Sequence, residues 1–251
     1  MNKNFNKIFL DFDSTLIRAV SLDLLGDMCG VGEEVRKLTD LTMSGIIPIE
    51  QVFKKKIDLI SPSLSQVNSI ARQCENLLVD DAQEVISAFH SLGKKVFILS
   101  SNFHHLIDSV AKILGIPEDC VIANDLYFDE VGSYRGFNHS SPLCSSSGKA
   151  IMLRKHLKSG ERSVLVGDGS TDLSCKDVVN LFIGFGGVAE RLVVREGADI
   201  YFSDSSFAPL LFMVLAPLDI NKLNKGRFKK LLAKAQATTA TTTTTSSPSS
   251  W

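Results

Sequence analysis

The sequence predicts an α/β protein: a doubly wound parallel sheet that carries a helical-bundle insert and a small β-hairpin. Three observations predict it. Short apolar runs such as KVFILS, SVLVGD and LFIGF alternate with helical patterns after Asp80, as strands buried on both faces do. Before Asp80, apart from one opening run at Lys7–Leu10, apolar residues recur at the spacings of three and four that mark helical faces. The apolar runs also end on acids or hydroxyls, at Asp11 and Asp13, at Ser100 and at Asp168.

Taken in order, the opening run is a short buried strand. Leu24, Leu25 and Met28 then form a helical face that stops at Gly30. Val35, Leu38 and Leu41 form a second, stopping near Gly45, with Glu33 and Glu34 in its first turn. Pro48 opens a third, with Ile49, Val52, Phe53, Ile57 and Ile60; Val67, Ile70, Ala71 and Cys74 make a fourth. After Asp80 come a helix ending at Gly93, a strand ending at Ser100, a helix closed by Gly115 and the strand CVIA. LYFDEVGSYRGF alternates about Val131-Gly132, the pattern of a hairpin. A helix opened by Ser147-Gly148 and three more strands complete the sheet. The expected organisation is a core of 1–15 and 80–220, an insert of 16–79 and a tail of 221–251. The tail is first basic and then rich in Thr and Ser, and too poor in apolar surface to offset its ordering entropy, so disorder is expected there.

Composition excludes several classes. The 251 residues carry a formal net charge of −1, with no overall field to draw in nucleic acid. Five scattered cysteines without a CxxC motif argue against a disulfide framework or a zinc site and fit a reducing, cytoplasmic setting. MNKNFNK leads into only three apolar residues, too few for a signal peptide, and FAPLLFMVLAPL falls short of the roughly 20 residues of a membrane span.

The chemistry sits at the strand ends, where ligands of such sheets bind. Asp11, Asp13, Ser100, Asp168 and Asp172 stand at or just after strand ends, and Lys149 stands in the first turn of a helix. Each alone is an ordinary turn or cap residue. Together they bring several carboxylates to one edge, where mutual repulsion would be severe without added positive charge. A hard divalent cation such as magnesium, with the lysine, supplies that charge, and the serine hydroxyl and nearby backbone N–H groups can hold an anion. The pattern fits phosphoryl transfer. One of the two neighbouring acids attacks phosphorus and the other moves a proton. Burial and Asp11 are expected to raise the pKa of Asp13.

The chain resembles the haloacid dehalogenase superfamily, and within it the phosphoserine phosphatase-like branch. The likeness rests on DFDSTL, LSSNF, Lys149 and GDGSTDL, and extends to CGVGEEVRKLTDLTMSG, LISPSLSQV, FIGFGG and the hairpin segment. It implies a Rossmann-like core with the helical insert as a cap and the hairpin as a flap. It implies a magnesium-dependent phosphomonoester hydrolase acting through an aspartyl phosphate on a small phosphorylated metabolite, with no nucleic-acid partner. In that frame Asp11 is nucleophile and metal ligand. Asp13 is acid/base and gives the metal its carbonyl, Asp168 is a further ligand, and Asp172 orients metal-bound water. Ser100, Lys149 and the backbone of Ser101 and Asn102 hold phosphate; Thr171, Met43 and Ser44 lie near the substrate. The chain departs from the family at three places. Val20 stands where the family has a glutamate beside the substrate amine, and Lys56 where it has an arginine for the substrate carboxylate. Ser101-Asn102 stands where it has Gly-Gly. A valine cannot accept from an ammonium group, so a weakened preference for phosphoserine is expected. Two other readings use the same residues: a phosphotransferase with an alcohol acceptor, and a phospho-accepting regulator.

Overall fold

In the computed structural model, which describes residues 3–243, the elements follow the expected order. Strand β1 (Lys7–Leu10) leads into four helices, α1 (Ser21–Met28), α2 (Gly32–Met43), α3 (Ile49–Ile60) and α4 (Leu64–Glu75). Helix α5 (Ala82–Ser91), β2 (Lys95–Phe103), α6 (His104–Ile113) and β3 (Val121–Asn124) come next, then the hairpin β4 (Leu126–Phe128) and β5 (Tyr134–Phe137). Then follow α7 (Gly148–His156), β6 (Ser163–Gly167), α8 (Ser170–Leu173), β7 (Leu181–Phe185), α9 (Leu192–Gly197) and β8 (Ile200–Phe202). Helices α10 (Leu210–Val214), α11 (Pro217–Asn224) and α12 (Lys229–Thr243) complete the described chain.

The main sheet has six parallel strands in the order β3-β2-β1-β6-β7-β8. Every residue of β1, β6 and β7 is buried, as expected of apolar strands sandwiched between helix layers. Phe9 stacks on Phe97 across the β1–β2 pair, with ring centroids 4.8 Å apart. Chain order runs outward from β1 on one side and from β6 on the other. The crevice beyond their carboxyl ends is therefore the switch point where a ligand site is expected.

The insert packs as a small helical bundle on that edge. Helix α4 starts with a capping box in which the Ser63 side chain accepts from the Gln66 N–H and the Gln66 side chain accepts from the Ser63 N–H. Several contacts tie the insert to the core, among them the following. Ser170 Oγ donates to the Thr42 carbonyl at 2.9 Å, and Ser146 donates to Glu50 Oε2 through N–H (2.9 Å) and hydroxyl (2.7 Å). The Leu64 N–H donates to the Gly132 carbonyl at the hairpin turn, at 2.9 Å. The two connections of the insert also pair with each other. The Arg18 N–H donates to the Leu77 carbonyl at 2.7 Å and the Val79 N–H to the Leu16 carbonyl at 3.0 Å.

Two expectations are corrected. Strand β2 does not stop at Ser100 but runs on to Phe103, because its pairing with β3 shifts register between Leu99 and Phe103. The segment from Asn221 is not disordered over its described part. It completes α11 and forms α12, and Leu223, Phe228, Leu231, Leu232 and Ala235 are buried. Spaced mostly by three to five residues, they make one apolar stripe that docks while the lysines face outward. Lys234 pairs with Asp81 at 2.5 Å. The remainder of the tail expectation, residues 244–251, lies outside the described residues.

Candidate active site

Asp11 leaves β1 with its N–H bonded to the Val166 carbonyl of β6 at 2.9 Å, so the first acid is anchored beside the strand that ends in Gly167-Asp168. Oxygens of Asp11, Asp168 and Asp172 lie within 4.8 Å of one another, and all three side chains are buried. Lys149, from the first turn of α7, reaches between two of them: its Nζ is 2.7 Å from Asp11 Oδ1 and 2.7 Å from Asp172 Oδ1. Burial alone would lower the pKa of this amine, but the two carboxylates more than reverse the effect and hold it charged. Burial and the neighbouring acid charges raise the carboxyls of Asp168 and Asp172. These acids are short of positive charge, and a set of buried carboxylate oxygens suits a hard divalent cation.

Two groups that complete this cluster escaped the sequence reading. Arg191, in the loop between β7 and α9, donates to Asp168 Oδ2, and its other terminal nitrogen is 3.0 Å from Met43 Sδ of the insert. Gly167 is the second. A Cβ built there would lie 2.3 Å from Asp172 Cγ, so only glycine lets the fully buried Asp172 carboxylate pack against the strand end. No motif flags Arg191, whereas the glycine lies in the GDG triplet of GDGSTDL. Thr15 also donates to Asp168 Oδ1, at 3.0 Å.

Asp13 has a different setting. Its Oδ1 accepts the Ser21 N–H at 2.7 Å and its Oδ2 accepts from Asn102 Nδ2 at 2.8 Å. Burial pushes this carboxyl from 3.8 up to about 6; the Ser21 hydrogen bonds pull it partly back, and the Asp11 charge adds to the rise. The expected elevation is therefore present, with burial as its main cause. Val20 is the residue before α1 and offers no side-chain cap, so the Asp13 carboxylate caps that helix from across the turn.

Asp11, Asp13, Val20, Met43, Lys56, Ser100, Ser101, Asn102, Lys149 and Thr171 all line one cavity of about 80 Å³, walled further by Leu22, Ile49, Val52, Phe53 and Ile57. Ser101 Oγ is buried there without a hydrogen-bond partner. Lys56 is half-buried at the insert side and donates to Thr39 Oγ1 at 2.6 Å, which in turn donates to Asp23 at 2.6 Å. Burial lowers the Lys56 amine, and the charges of Asp23, Asp13 and Asp40 oppose this. Ser44 is not brought to the cavity: it follows α2 and is exposed. Asp168 and Asp172 lie behind the lining, at the acid cluster.

An acid cluster with a buried lysine, at the switch point of a doubly wound sheet and under a helical insert, defines a hydrolase class. The chain belongs to the haloacid dehalogenase-like hydrolase family, whose model matches residues 8–176. Within that family it is similar to phosphoserine phosphatases. It is 34% identical to the Drosophila melanogaster phosphoserine phosphatase over 200 residues, covering 78% of this chain and 74% of that one. It is 33% identical to the Homo sapiens phosphoserine phosphatase over 199 residues, covering 78% and 88%. A solved phosphoserine phosphohydrolase-like protein from Francisella tularensis superposes with a TM-score of 0.76 at 26% identity, covering 84% of this chain and 100% of that one. A solved substrate-bound phosphoserine phosphatase superposes with a TM-score of 0.75 at 26% identity, covering 84% and 99%.

Proposed function

We propose that the protein is a magnesium-dependent phosphomonoester hydrolase that works through an aspartyl phosphate on Asp11, with residues 16–79 as a cap over the core. The observation that carries this reading is the buried group of Asp11, Asp168 and Asp172 threaded by Lys149, with Asp13 opening onto the same cavity as Asp11. Asp11, Asp168 and the Asp13 carbonyl would hold magnesium, beside Asp172. Once bound, the ion supplies positive charge against the phosphoryl oxygens.

The protein's own groups carry the reaction. Lys149, Ser100 and the backbone N–H groups of Ser101 and Asn102 hold the phosphate, and the unpartnered Ser101 hydroxyl suits an anionic ligand. An Asp11 oxygen attacks phosphorus, and its new O–P bond forms as the ester P–O bond breaks. Protonated Asp13 gives its proton to the departing oxygen, releasing an alcohol. Asp13 then takes a proton from water as the water oxygen bonds to phosphorus and the Asp11–phosphorus bond breaks, releasing phosphate.

The substrate is a small phosphate ester, and the pocket argues against a strong preference for O-phosphoserine. Val20 and its apolar neighbours offer no acceptor to an ammonium group, and Lys56 meets an anion as a point charge rather than a fork. A phosphate-release screen over small esters, on the wild type and on Val20→Glu, tests both levels. Phosphate release by the wild type is expected, with phosphoserine unexceptional among the esters. Val20→Glu is expected to raise relative turnover of phosphoserine about 10-fold or more. A wild type that already prefers phosphoserine by a wide margin overturns the specificity reading, and no release from any ester overturns the hydrolase reading. Five free cysteines support a reducing, cytoplasmic setting.

A further inference from the structure

From the hydrogen bonds around Asp13 we infer that Asn102 is a positioning residue: its carboxamide fixes the carboxyl group that delivers the leaving-group proton. This builds on the hydrolase reading above, with Asp13 as the acid.

Asn102 stands where the resemblance leads one to expect glycine, at the end of β2, and the residue is 3% exposed. The orientation of its amide is settled by its neighbours. The Phe103 N–H donates to Asn102 Oδ1 at 2.8 Å, which makes that atom the oxygen and turns the NH2 group toward Asp13. Nδ2 then donates to Asp13 Oδ2 at 2.8 Å and also to Ser21 Oγ. Ser21 in turn donates its N–H to the other Asp13 oxygen, at 2.7 Å. Asp13, Ser21 and Asn102 therefore form a closed ring of buried polar groups in which both carboxylate oxygens are held. The two holders come from different parts of the chain, one from the first turn of the insert and one from the core sheet. Without Nδ2 the carboxylate keeps only the Ser21 donors on one side and is free to rotate away from the ester oxygen. A proton donor loses its rate advantage when misplaced by a fraction of an ångström to an ångström.

The arrangement makes a prediction that a merely structural role does not. Protonation by Asp13 matters for an alkyl phosphate, whose alkoxide is a poor leaving group, and little for p-nitrophenyl phosphate, whose phenolate departs unaided. The test is steady-state kinetics of wild type and Asn102→Leu with glycerol phosphate and p-nitrophenyl phosphate, with thermal melting to verify folding. Asn102→Leu keeps the branched outline at a somewhat larger volume and removes the donor, together with the acceptor of the Phe103 N–H. It is expected to lower kcat for the alkyl ester by about 10–100-fold with KM nearly unchanged, and to lower kcat for the aryl ester far less. If Asn102→Leu does not fold, Asn102→Ala replaces it, with the same expectation. Equal losses on both substrates, or no loss on either, overturn the positioning role while leaving the hydrolase reading intact. Where glycerol phosphate is not turned over, the alkyl ester best hydrolysed in the phosphate-release screen takes its place, and a wild type that hydrolyses no ester overturns that reading and the inference together.

Discussion

At the residue scale, the site depends on an atom that is missing. Gly167 leaves the space into which the Asp172 carboxylate packs, and a Cβ would come within 2.3 Å of it. Gly167→Ala is expected to leave the fold intact with a stability loss of about 1–3 kcal/mol from overpacking. The larger effect is expected on the acid cluster: the magnesium concentration for half-maximal phosphate release should rise about 10–100-fold. A magnesium titration beside a thermal melt separates the two, and an unchanged titration would show that Asp172 can move aside. The acids themselves were legible in the sequence, because each follows an apolar run whose end marks the ligand edge of such a sheet. Arg191 was not. It meets Asp168 across 23 positions of chain, and its loop reads as ordinary connecting sequence. Asn102 was legible only as a departure, since sequence alone gives no account of which way its carboxamide turns.

At the element scale, the helices of the insert were legible because glycine stops, a proline start and three-to-four spacing all agreed. The C-terminal helices were misread because two signals conflicted. The charge pattern from Asn221 argued for a solvated tail, while the apolar positions already held a helical stripe. Docking decided the outcome: α12 packs on α10 and α11, Lys234 pairs with Asp81 just before α5, and Arg227 donates to Ser87 Oγ within α5 at 2.7 Å. Leu232, 4% exposed, belongs to the buried apolar core. Leu232→Ala is expected to destabilise the protein by about 2–5 kcal/mol, lowering Tm by several degrees while leaving KM unchanged. A neutral Tm would mean that α12 contributes nothing to the packed core.

At the scale of the whole molecule, the acids set how stability responds to pH. Asp13, Asp168 and Asp172 are all raised in the folded state, Asp13 from 3.8 to about 6. A raised carboxyl holds its proton more tightly folded than unfolded. Its contribution to stability is therefore most favourable below the ordinary carboxylate value and is lost as pH rises through the folded one. Metal-free protein is expected to lose Tm as pH climbs from 3.8 toward and past about 6 relative to a variant with Asp13→Asn. Magnesium should restore stability most at the upper end of that range, where its ligand Asp168 and the neighbouring acids are most ionised. Thermal melts across that range, with magnesium and with chelator, check both signs. A magnesium effect that shrinks as pH rises would contradict the assignment of Asp168 as a magnesium ligand beside Asp172.

The paired connections of the insert have a mechanical consequence. Leu16–Val79 and Arg18–Leu77 hydrogen bonds join the outgoing and returning chain into one narrow ribbon. Ser14 and Asp81, near its two ends, both adopt left-handed backbone, with φ of 55° and 60°. Two separate tethers would let the bundle twist, slide and tilt over the sheet. A single stitched ribbon resists sliding and twist and yields mainly to bending across its width. Swinging about that one line would part the Thr42, Glu50 and Leu64 contacts together, the movement of a door hung on one pin rather than of a lid resting on two cords.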